Sequence, residues 1–224
     1  MVRLLLVNPN TTSSMTRDIE ASARAAAGPG TVVEALNPAD GPASIEDDDD
    51  ERRCVPFLLA ELERAAARGP ERPDAYVIAC FGDPGLDRAR ALVDGPVLGI
   101  AQAAMHAAAL SAGGFSVVTS MSATVPRAWE LAEAYTPGRC LGVYASDIPV
   151  LTIDSDPETI VPIGDLCAKA LAQDGSRAIV LGCAAMAKFA APLSRRLGVP
   201  VFDGVVAATL LAEALVGLDQ LNRG

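Results

Sequence analysis

The amino-acid sequence predicts an α/β fold of two pseudo-symmetric lobes, each a mainly parallel sheet flanked by helices. Apolar, strand-like segments alternate with helix-like segments along the whole chain. The strand-like segments are continuously apolar, which is typical of parallel sheets covered by helices on both faces. Two distant segments, one in each half, also end in a cysteine with matching neighbours. In sheets of this kind, ligands bind beyond the carboxyl ends of the strands.

Apolar runs predict the strands. They lie near residues 2–7, 31–36, 75–80, 96–100, 115–119, 140–144, 149–153, 177–182 and 199–202. Residues 57–68 form an amphipathic helical pattern that ends at Gly69-Pro70. A second helical pattern, from about Ala101 to Leu110, is expected to connect the two halves.

Two Asp-Pro pairs predict helix starts. Asp83-Pro84 and Asp156-Pro157 each supply a side-chain acceptor for an N-cap, followed by proline at the first helical position. The side chains of Thr11 to Ser14 offer oxygens in the same way at the start of the first helix.

The two halves of the chain look like copies of each other. Cys80 and Cys183 each follow an apolar strand, and the interval from the cysteine to the next Pro-Val pair differs by one residue. Upstream, Leu4 to Thr12 and Phe115 to Thr124 both have the pattern of a buried strand that leads into a Ser/Thr-rich loop and a helix. We therefore predict a first lobe of residues 1–100, completed by a helix at 205–220, and a second lobe of residues 101–204.

This repeat suggests a chemistry. If the lobes face each other about a pseudo-two-fold axis, Cys80 and Cys183 reach one cleft from opposite sides. A racemase or epimerase without a cofactor needs this arrangement, because a base removes a proton from one face of a carbon and an acid returns one to the other face. Backbone N–H groups at a helix start would lower the pKa of such a thiol from about 8.5 toward neutrality.

An enolate-like intermediate would also need hydrogen-bond donors at its oxygen. The hydroxyls of Thr119 and Ser120 and the amide of Asn10 follow strand ends and are placed to supply them. The other three cysteines, Cys54, Cys140 and Cys167, lie within helix or strand patterns, where a free cysteine usually packs as a small hydrophobe.

Composition excludes several other classes. Half of the 224 residues are hydrophobic, which suffices for an ordinary core, and the net charge of −10 argues against nucleic acid or an anionic membrane as a partner. We find no segment that approaches a membrane span, and Asn8-Pro9-Asn10 interrupts the first apolar run before a signal-peptide core is complete. These features predict a cytoplasmic protein.

Cysteine and histidine usage argues against a disulfide framework and against a metal site. The chain has five cysteines, no Cys-x-x-Cys pair and a single histidine. An odd number of cysteines in apolar settings is typical of reduced thiols, and the usual zinc spacing is missing. We expect no metal and no cofactor.

An acidic run, Asp47 to Glu51, lies in the least regular stretch of the chain, Asn37 to Pro56. A solvated face is the favoured interpretation. The alternative is a mobile loop that acts as a lid near the mouth of the cleft.

These motifs resemble those of the aspartate/glutamate racemase superfamily, and within it the hydantoin and allantoin racemases. The likeness spans nearly the whole chain. It rests on Asn8-Pro-Asn-Thr-Thr12, Gly41-Pro-Ala-Ser-Ile-Glu46, Cys80-Phe-Gly-Asp-Pro-Gly-Leu86, Val117-Val-Thr-Ser120 and Leu181-Gly-Cys-Ala-Ala-Met186.

The resemblance implies two α/β lobes with the active site between them and Cys80 and Cys183 as the catalytic acid/base pair. It implies proton exchange at the C5 carbon of a 5-monosubstituted hydantoin or of allantoin, without metal or nucleotide, in a homo-oligomer. By the same analogy, the polar edge of the ring is lined by Asn10, Gly82, Asp83, Thr119, Ser120, Gly182 and Ala184.

The chain departs from this pattern at two places. Ala185 stands where the family usually has a second glycine, which adds a methyl group close to Cys183. Asp47 to Asp50 replace a glycine and an aromatic residue, and an acidic loop facing the cleft would disfavour anionic substituents.

The sequence is also compatible with other functions. One is an isomerase or decarboxylase of a small dicarboxylic acid, although a decarboxylase typically needs only one of the two cysteines. Such a substrate would also call for a cation, and no Arg or Lys is adjacent in sequence to either cysteine. The remaining readings are a small-molecule-binding protein without catalysis and a thiol redox protein.

Overall fold

The computed structural model describes residues 1–223. Its strands are β1 (Arg3–Val7), β2 (Val32–Leu36), β3 (Ala75–Ile78), β4 (Val97–Gly99), β5 (Phe115–Thr119), β6 (Cys140–Ala145), β7 (Ile179–Gly182) and β8 (Val201–Asp203). Its α-helices are α1 (Ser13–Ala26), α2 (Asp48–Ala66), α3 (Leu86–Leu92), α4 (Ile100–Ala112), α5 (Val125–Tyr135), α6 (Val150–Ser155), α7 (Ile160–Asp174), α8 (Ala190–Leu197) and α9 (Gly204–Arg223). Short 3₁₀ turns lie at Gly69–Glu71, Ser122–Thr124, Pro157–Thr159 and Ala184–Phe189.

The strands form two parallel four-stranded sheets with the same topology. The first has the order β2-β1-β3-β4 and the second β6-β5-β7-β8. The registers also agree, because Tyr76 pairs with Leu5 and Val97 as Ile179 pairs with Ser116 and Val201. The prediction of two similar parallel-sheet lobes flanked by helices is confirmed.

One predicted strand was wrong. Residues 149–153 belong to α6 and not to a sheet. Val150 and Ile153 are buried and Leu151 is exposed, so the apolar residues of this short run follow helical spacing. Pro149 precedes the helix, at the position where the backbone is still extended.

The acidic run begins a helix. α2 starts at Asp48, nine residues before the predicted amphipathic stretch, and the Asp47 carboxylate accepts hydrogen bonds from the backbone N–H groups of Asp49 and Asp50. Carboxylates in the first turn interact favourably with the positive end of the helix dipole. The solvated-face interpretation therefore describes Asp47 to Asp49, whereas Glu51 faces inward.

The two lobes share a core. A single apolar cluster runs from Leu4 and Val77 in the first sheet to Val117 and Val180 in the second. A smaller cluster fills the space between the first sheet, α2 and α3. The N-termini of α4 and α9 meet so closely that a methyl group on Gly204 would overlap the carbonyl oxygen of Ile100.

α9 packs mainly against α4, α1 and β3, and it also contacts β7 and β8 of the second sheet. The proposed boundaries at residues 100 and 204 stay a prediction. By length and composition, the segment Gly204–Asn222 of α9 could cross a membrane, so the expectation that no segment approaches a span was wrong. In this fold, Val205, Ala208 and Ala212 of α9 are buried in the core, as in a helix that covers a sheet.

Candidate active site

Cys80 and Cys183 occupy equivalent positions. Cys80 lies two residues after Ile78, which pairs with Gly99, and Cys183 lies two residues after Leu181, which pairs with Asp203 in the equivalent strand pair. Both thiols line one narrow cavity of about 40 Å³ at the carboxyl ends of the two sheets. The strand ends therefore bring together two cysteines that lie about a hundred residues apart in sequence.

Eight of the nine predicted site residues line this cavity: Asn10, Cys80, Gly82, Thr119, Ser120, Gly182, Cys183 and Ala184. Their individual roles stay predictions. Met15, Ile45 and Val150 supply apolar walls. Ile45 and Val150 come from different lobes, and the carboxylate of Glu46 accepts the backbone N–H of Val150 at 2.9 Å, which fixes the loop of the first lobe to the start of α6.

Asp83 is the residue that does not line the cavity. Its carboxylate points behind the cysteine loop and accepts the backbone N–H groups of Ala101 (3.0 Å) and Gln102 (2.9 Å), while the hydroxyl of Tyr135 donates to it at 3.0 Å. Asp83 thus caps α4, whereas α3 begins after Gly85. The prediction that Asp83 caps its own helix was wrong.

The conformation around Asp83 is constrained. Its φ of 47° lies in the left-handed region, and a methyl group on Gly99 would overlap its carboxylate. Burial raises the pKa of Asp83 to about 7, against the lowering effects of the three hydrogen bonds and of the charge of Arg127. The backbone N–H of Asp83 donates to the carbonyl of Cys80, so this cap also shapes the cysteine loop.

The polar groups of the cavity differ in which hydrogen-bond donors remain available to a ligand. The hydroxyl of Thr119 donates to the carbonyl of Gly182 at 3.1 Å. The Oδ1 atom of Asn10 accepts from Asn8 and from the backbone N–H of Thr12, each at 2.9 Å. The Asn10 side-chain N–H is held only by the sulfur of Met15, a weak acceptor, and can donate into the cavity.

Two charged residues of the cavity were missed in the sequence. Glu51 of α2 and Arg127 of α5 form an ion pair across the cleft, with 3.6 Å between Arg127 Nε and Glu51 Oε2. Arg127 also donates to the carbonyl oxygen of Gly82 from Nε (3.2 Å) and Nη2 (3.0 Å). A methyl group on Gly82 would overlap the Glu51 carboxylate, so glycine is required at this approach.

The sequence pattern could have identified Glu51 as an inward-facing residue, whereas it gives no such sign for Arg127. The buried positions of α2 recur at Cys54, Leu58, Leu62 and Ala65, and extending that spacing backward by one turn reaches residue 51. Arg127 lies in α5, far in sequence from both cysteines. No Arg or Lys is adjacent to either cysteine in sequence, but the folded chain brings Arg127 into the cleft.

The pKa values of both thiols are raised, contrary to our expectation. Burial raises the pKa of Cys183 to about 11, although the backbone N–H groups of Ala185 and Met186 and the side chain of Ser120 act to lower it. Burial and the charge of Glu51 hold the pKa of Cys80 well above its usual range, against the lowering effect of the Gly82 backbone. The predicted donors are present, but burial outweighs them.

Neither departure from the family pattern changes the cavity wall. Ala185 is buried outside the cavity, and Asp47 to Asp50 do not line it. Cys54, Cys140 and Cys167 also lie outside it. Within residues 1–223, no group of three or more His, Cys, Asp or Glu side chains is arranged to hold a metal ion.

Two lobes of the same parallel topology, with a cysteine from each at a shared cleft, define an α/β protein whose candidate site lies between two similar halves. Residues 4–212 match the Asp/Glu/Hydantoin racemase family. The chain belongs to this family and is an isomerase of the racemase type, which confirms the resemblance.

Individual relatives agree. The chain is 46% identical to the hydantoin racemase of Rhizobium meliloti, over 95% of this chain and 88% of that protein. It is 41% identical to the hydantoin racemase of Paenarthrobacter aurescens, over 97% and 92%. The allantoin racemase from Klebsiella pneumoniae superposes with a TM-score of 0.94 at 43% identity, covering 98% of this chain and 89% of that chain.

More distant structures share the fold alone. Glutamate racemase from Francisella tularensis has a TM-score of 0.65 at 15% identity, over 98% of this chain and 82% of that chain. An arylmalonate decarboxylase has a TM-score of 0.64 at 17% identity, over 96% and 92%.

Proposed function

We propose that this protein racemises 5-monosubstituted hydantoins or allantoin by proton transfer at the ring C5 carbon between Cys80 and Cys183, without metal or cofactor. The observation that carries this proposal is the equivalent placement of the two cysteines, one from each lobe, on one cavity. The named activities of the 41–46% identical relatives support the substrate class.

Each turnover moves one proton in and one proton out. The thiolate of one cysteine takes the C5 proton, and the electron pair of the C–H bond moves toward the adjacent carbonyl to give an enolate. The thiol of the other cysteine then donates its proton to the opposite face of C5, so the ring leaves inverted. Afterwards the two sulfurs have exchanged protonation states.

The donors of the cavity suit the enolate. The side-chain N–H of Asn10 is the polar group best able to reach a ring oxygen, because the Thr119 proton is engaged by Gly182 and the Ser120 hydroxyl acts on Cys183. Donors positioned before the reaction stabilise charge that develops only in the transition state.

The charges of the cavity favour a neutral ring over a dicarboxylic acid. Arg127 is the cation of this cavity, and both Glu51 and the carbonyl of Gly82 already engage it. A second carboxylate entering beside Glu51 would meet like charge. The alternative, an isomerase or decarboxylase of a small dicarboxylic acid, is therefore the weaker proposal, and a binding protein without catalysis would not need both thiols.

We also propose that the protein is a cytoplasmic homo-oligomer. The exposed leucines of α9, namely Leu210, Leu215, Leu218 and Leu221, provide apolar surface for self-association. Sedimentation velocity tests the oligomer, and a single monomeric species across the micromolar range would contradict it.

The activity test uses one enantiomer of a 5-alkyl or 5-arylalkyl hydantoin in heavy water, with optical rotation and deuterium uptake at C5 followed together. Allantoin and aspartate are run beside it. We expect racemisation with exchange, lost in Cys80→Ser and in Cys183→Ser but kept in Cys140→Ser, whose thiol lies outside the cavity. A Cys183→Ser variant that racemises as fast as the parent would remove the two-base mechanism.

A further inference from the structure

The two cysteines have equivalent positions but unlike surroundings. Burial raises the pKa of both thiols. Around Cys183, the backbone N–H groups of Ala185 and Met186 and the side chain of Ser120 favour a thiolate, and the Glu46 carboxylate opposes it. Around Cys80, the Gly82 backbone favours a thiolate, and the Glu51 carboxylate opposes it more strongly than the other charges. The symmetry of the fold is therefore broken in the electrostatics of the cleft.

Glu51 is held in place by the structure. It lies in the first turn of α2, and the Cys54 thiol below it donates to its carbonyl at 3.2 Å. On the cavity side, the carboxylate lies over Gly82 and pairs with Arg127 at 3.6 Å. These contacts place its charge beside the loop that follows Cys80.

The charges that face these groups come from three elements. Burial raises the pKa of Glu51, Arg127 of α5 pairs with it and acts to lower that pKa, and Asp48 of α2 and Glu130 of α5 act to raise it. Cys80 faces Glu51, Cys54 and Cys183, whereas the carboxylate that acts on Cys183 is Glu46. Arg127 also pairs with Glu130, with 3.4 Å between Nη1 and Oε2, so its positive charge is divided between the two carboxylates.

We propose that Glu51 makes the two thiols unequal, so that Cys80 holds the proton in the resting enzyme and Cys183 is the sulfur that ionises. Glu51 acts through Cys80 and is a positioning residue for its proton. This inference deepens the proposed function and rests on it. It means that the enzyme starts each cycle from one defined protonation state, and that a turnover begun at Cys183 leaves the thiolate beside Glu51, the less stable of the two placements.

Alkylation of the individual thiols tests this inference without any substrate. The protein is treated with iodoacetamide across a pH series, and the modified fractions of the Cys80 and Cys183 peptides are measured by mass spectrometry. Because the thiolate is the nucleophile, the rate follows the ionised fraction of each sulfur. In the parent, we expect Cys183 to react with the lower apparent pKa.

Glu51→Gln keeps the shape of the side chain and removes its charge. We expect the apparent pKa of Cys80 to fall by about one unit, which is about a tenfold faster alkylation at a pH below both midpoints, with a smaller change at Cys183. Glu51→Asp retains a charge and should restore part of the difference. Glu63→Gln is the matched control, since it removes an exposed carboxylate from the same helix outside the cavity and should leave the difference as in the parent.

Two results would overturn the inference. One is a parent in which Cys80 ionises first, and the other is a Glu51→Gln variant whose difference between the thiols equals that of the parent or of Glu63→Gln. The racemase assay is separate from this readout. A protein with unequal thiols and no racemisation contradicts the proposed function alone, and a racemase with equal thiols contradicts this inference alone.

Discussion

Arg127, from the second lobe, donates two hydrogen bonds to the carbonyl oxygen of Gly82, which lies two residues after Cys80 in the first lobe. This contact ties the loop of one cysteine to the opposite wall of the cleft. Without it, the Gly82 carbonyl and the Glu51 carboxylate would lose their shared donor.

Arg127→Ala is expected to destabilise the protein by about 1–2 kcal/mol, because hydrogen bonds to a charged group are lost and a half-buried carboxylate is left unpaired. Urea denaturation measures the change. Arg72→Ala is the control, since it removes the exposed ion pair with Asp94 and should cost less than about 1 kcal/mol. Equal effects of the two substitutions would contradict the role given to Arg127.

Gly82→Ala should lower kcat/KM severalfold, because the added methyl group overlaps the Glu51 carboxylate and forces this side chain away from the Cys80 loop. Steady-state kinetics with the preferred hydantoin provide the measurement. Gly217→Ala in α9, where a methyl group meets no neighbour, should leave activity unchanged and add up to about 1 kcal/mol of stability. A Gly82→Ala enzyme as active as the parent would refute the close approach.

The rate should depend on pH through the thiols. Because the pKa of Cys183 is raised to about 11, only a small part of this sulfur is ionised at neutral pH, and the ionised part grows tenfold for each unit of pH. We expect kcat/KM to rise continuously between pH 7 and pH 9. A plateau beginning below pH 7.5 would show instead that substrate-free Cys183 is already a thiolate there.

The raised pKa of Asp83 predicts how the free energy of unfolding depends on pH. Its pKa is raised to about 7 in the folded state and is about 3.9 in the unfolded state, so the folded state binds the proton more tightly and stability falls as pH rises from about 4 to about 7. Asp83→Asn should remove this contribution, so the difference in unfolding free energy between variant and parent should change over that range and level off above it. Urea titrations at pH 4.5, 6 and 7.5 measure it. A difference independent of pH would contradict the raised pKa.

Local pattern was sufficient for most of the fold. The apolar runs that end at Cys80 and Cys183 identified the central strands of both sheets, since continuous burial needs no information from distant residues. The run at Val150 failed because a few apolar residues fit a strand or a helix equally well, and the buried faces that decide between them come from tertiary packing.

The site was predicted where it follows strand ends and missed where it depends on distant side chains. Asp83 has the sequence of a cap for α3, yet its side chain caps α4, because the loop after Cys80 turns through a left-handed backbone. Arg127 reaches Gly82 over 45 positions of sequence. The pKa of each thiol depends on burial, which the sequence near a cysteine does not specify.

The shared apolar core bears on how a substrate enters. Rotating one lobe away from the other would expose the cluster that joins Leu4 and Val77 to Val117 and Val180, at about 25 cal/mol for each Å² of apolar surface. The segment that carries Ile45 and Glu46 is attached to the opposite lobe by a hydrogen bond from the backbone N–H of Val150. We therefore expect a substrate to enter by displacement of this segment, without separation of the two sheets.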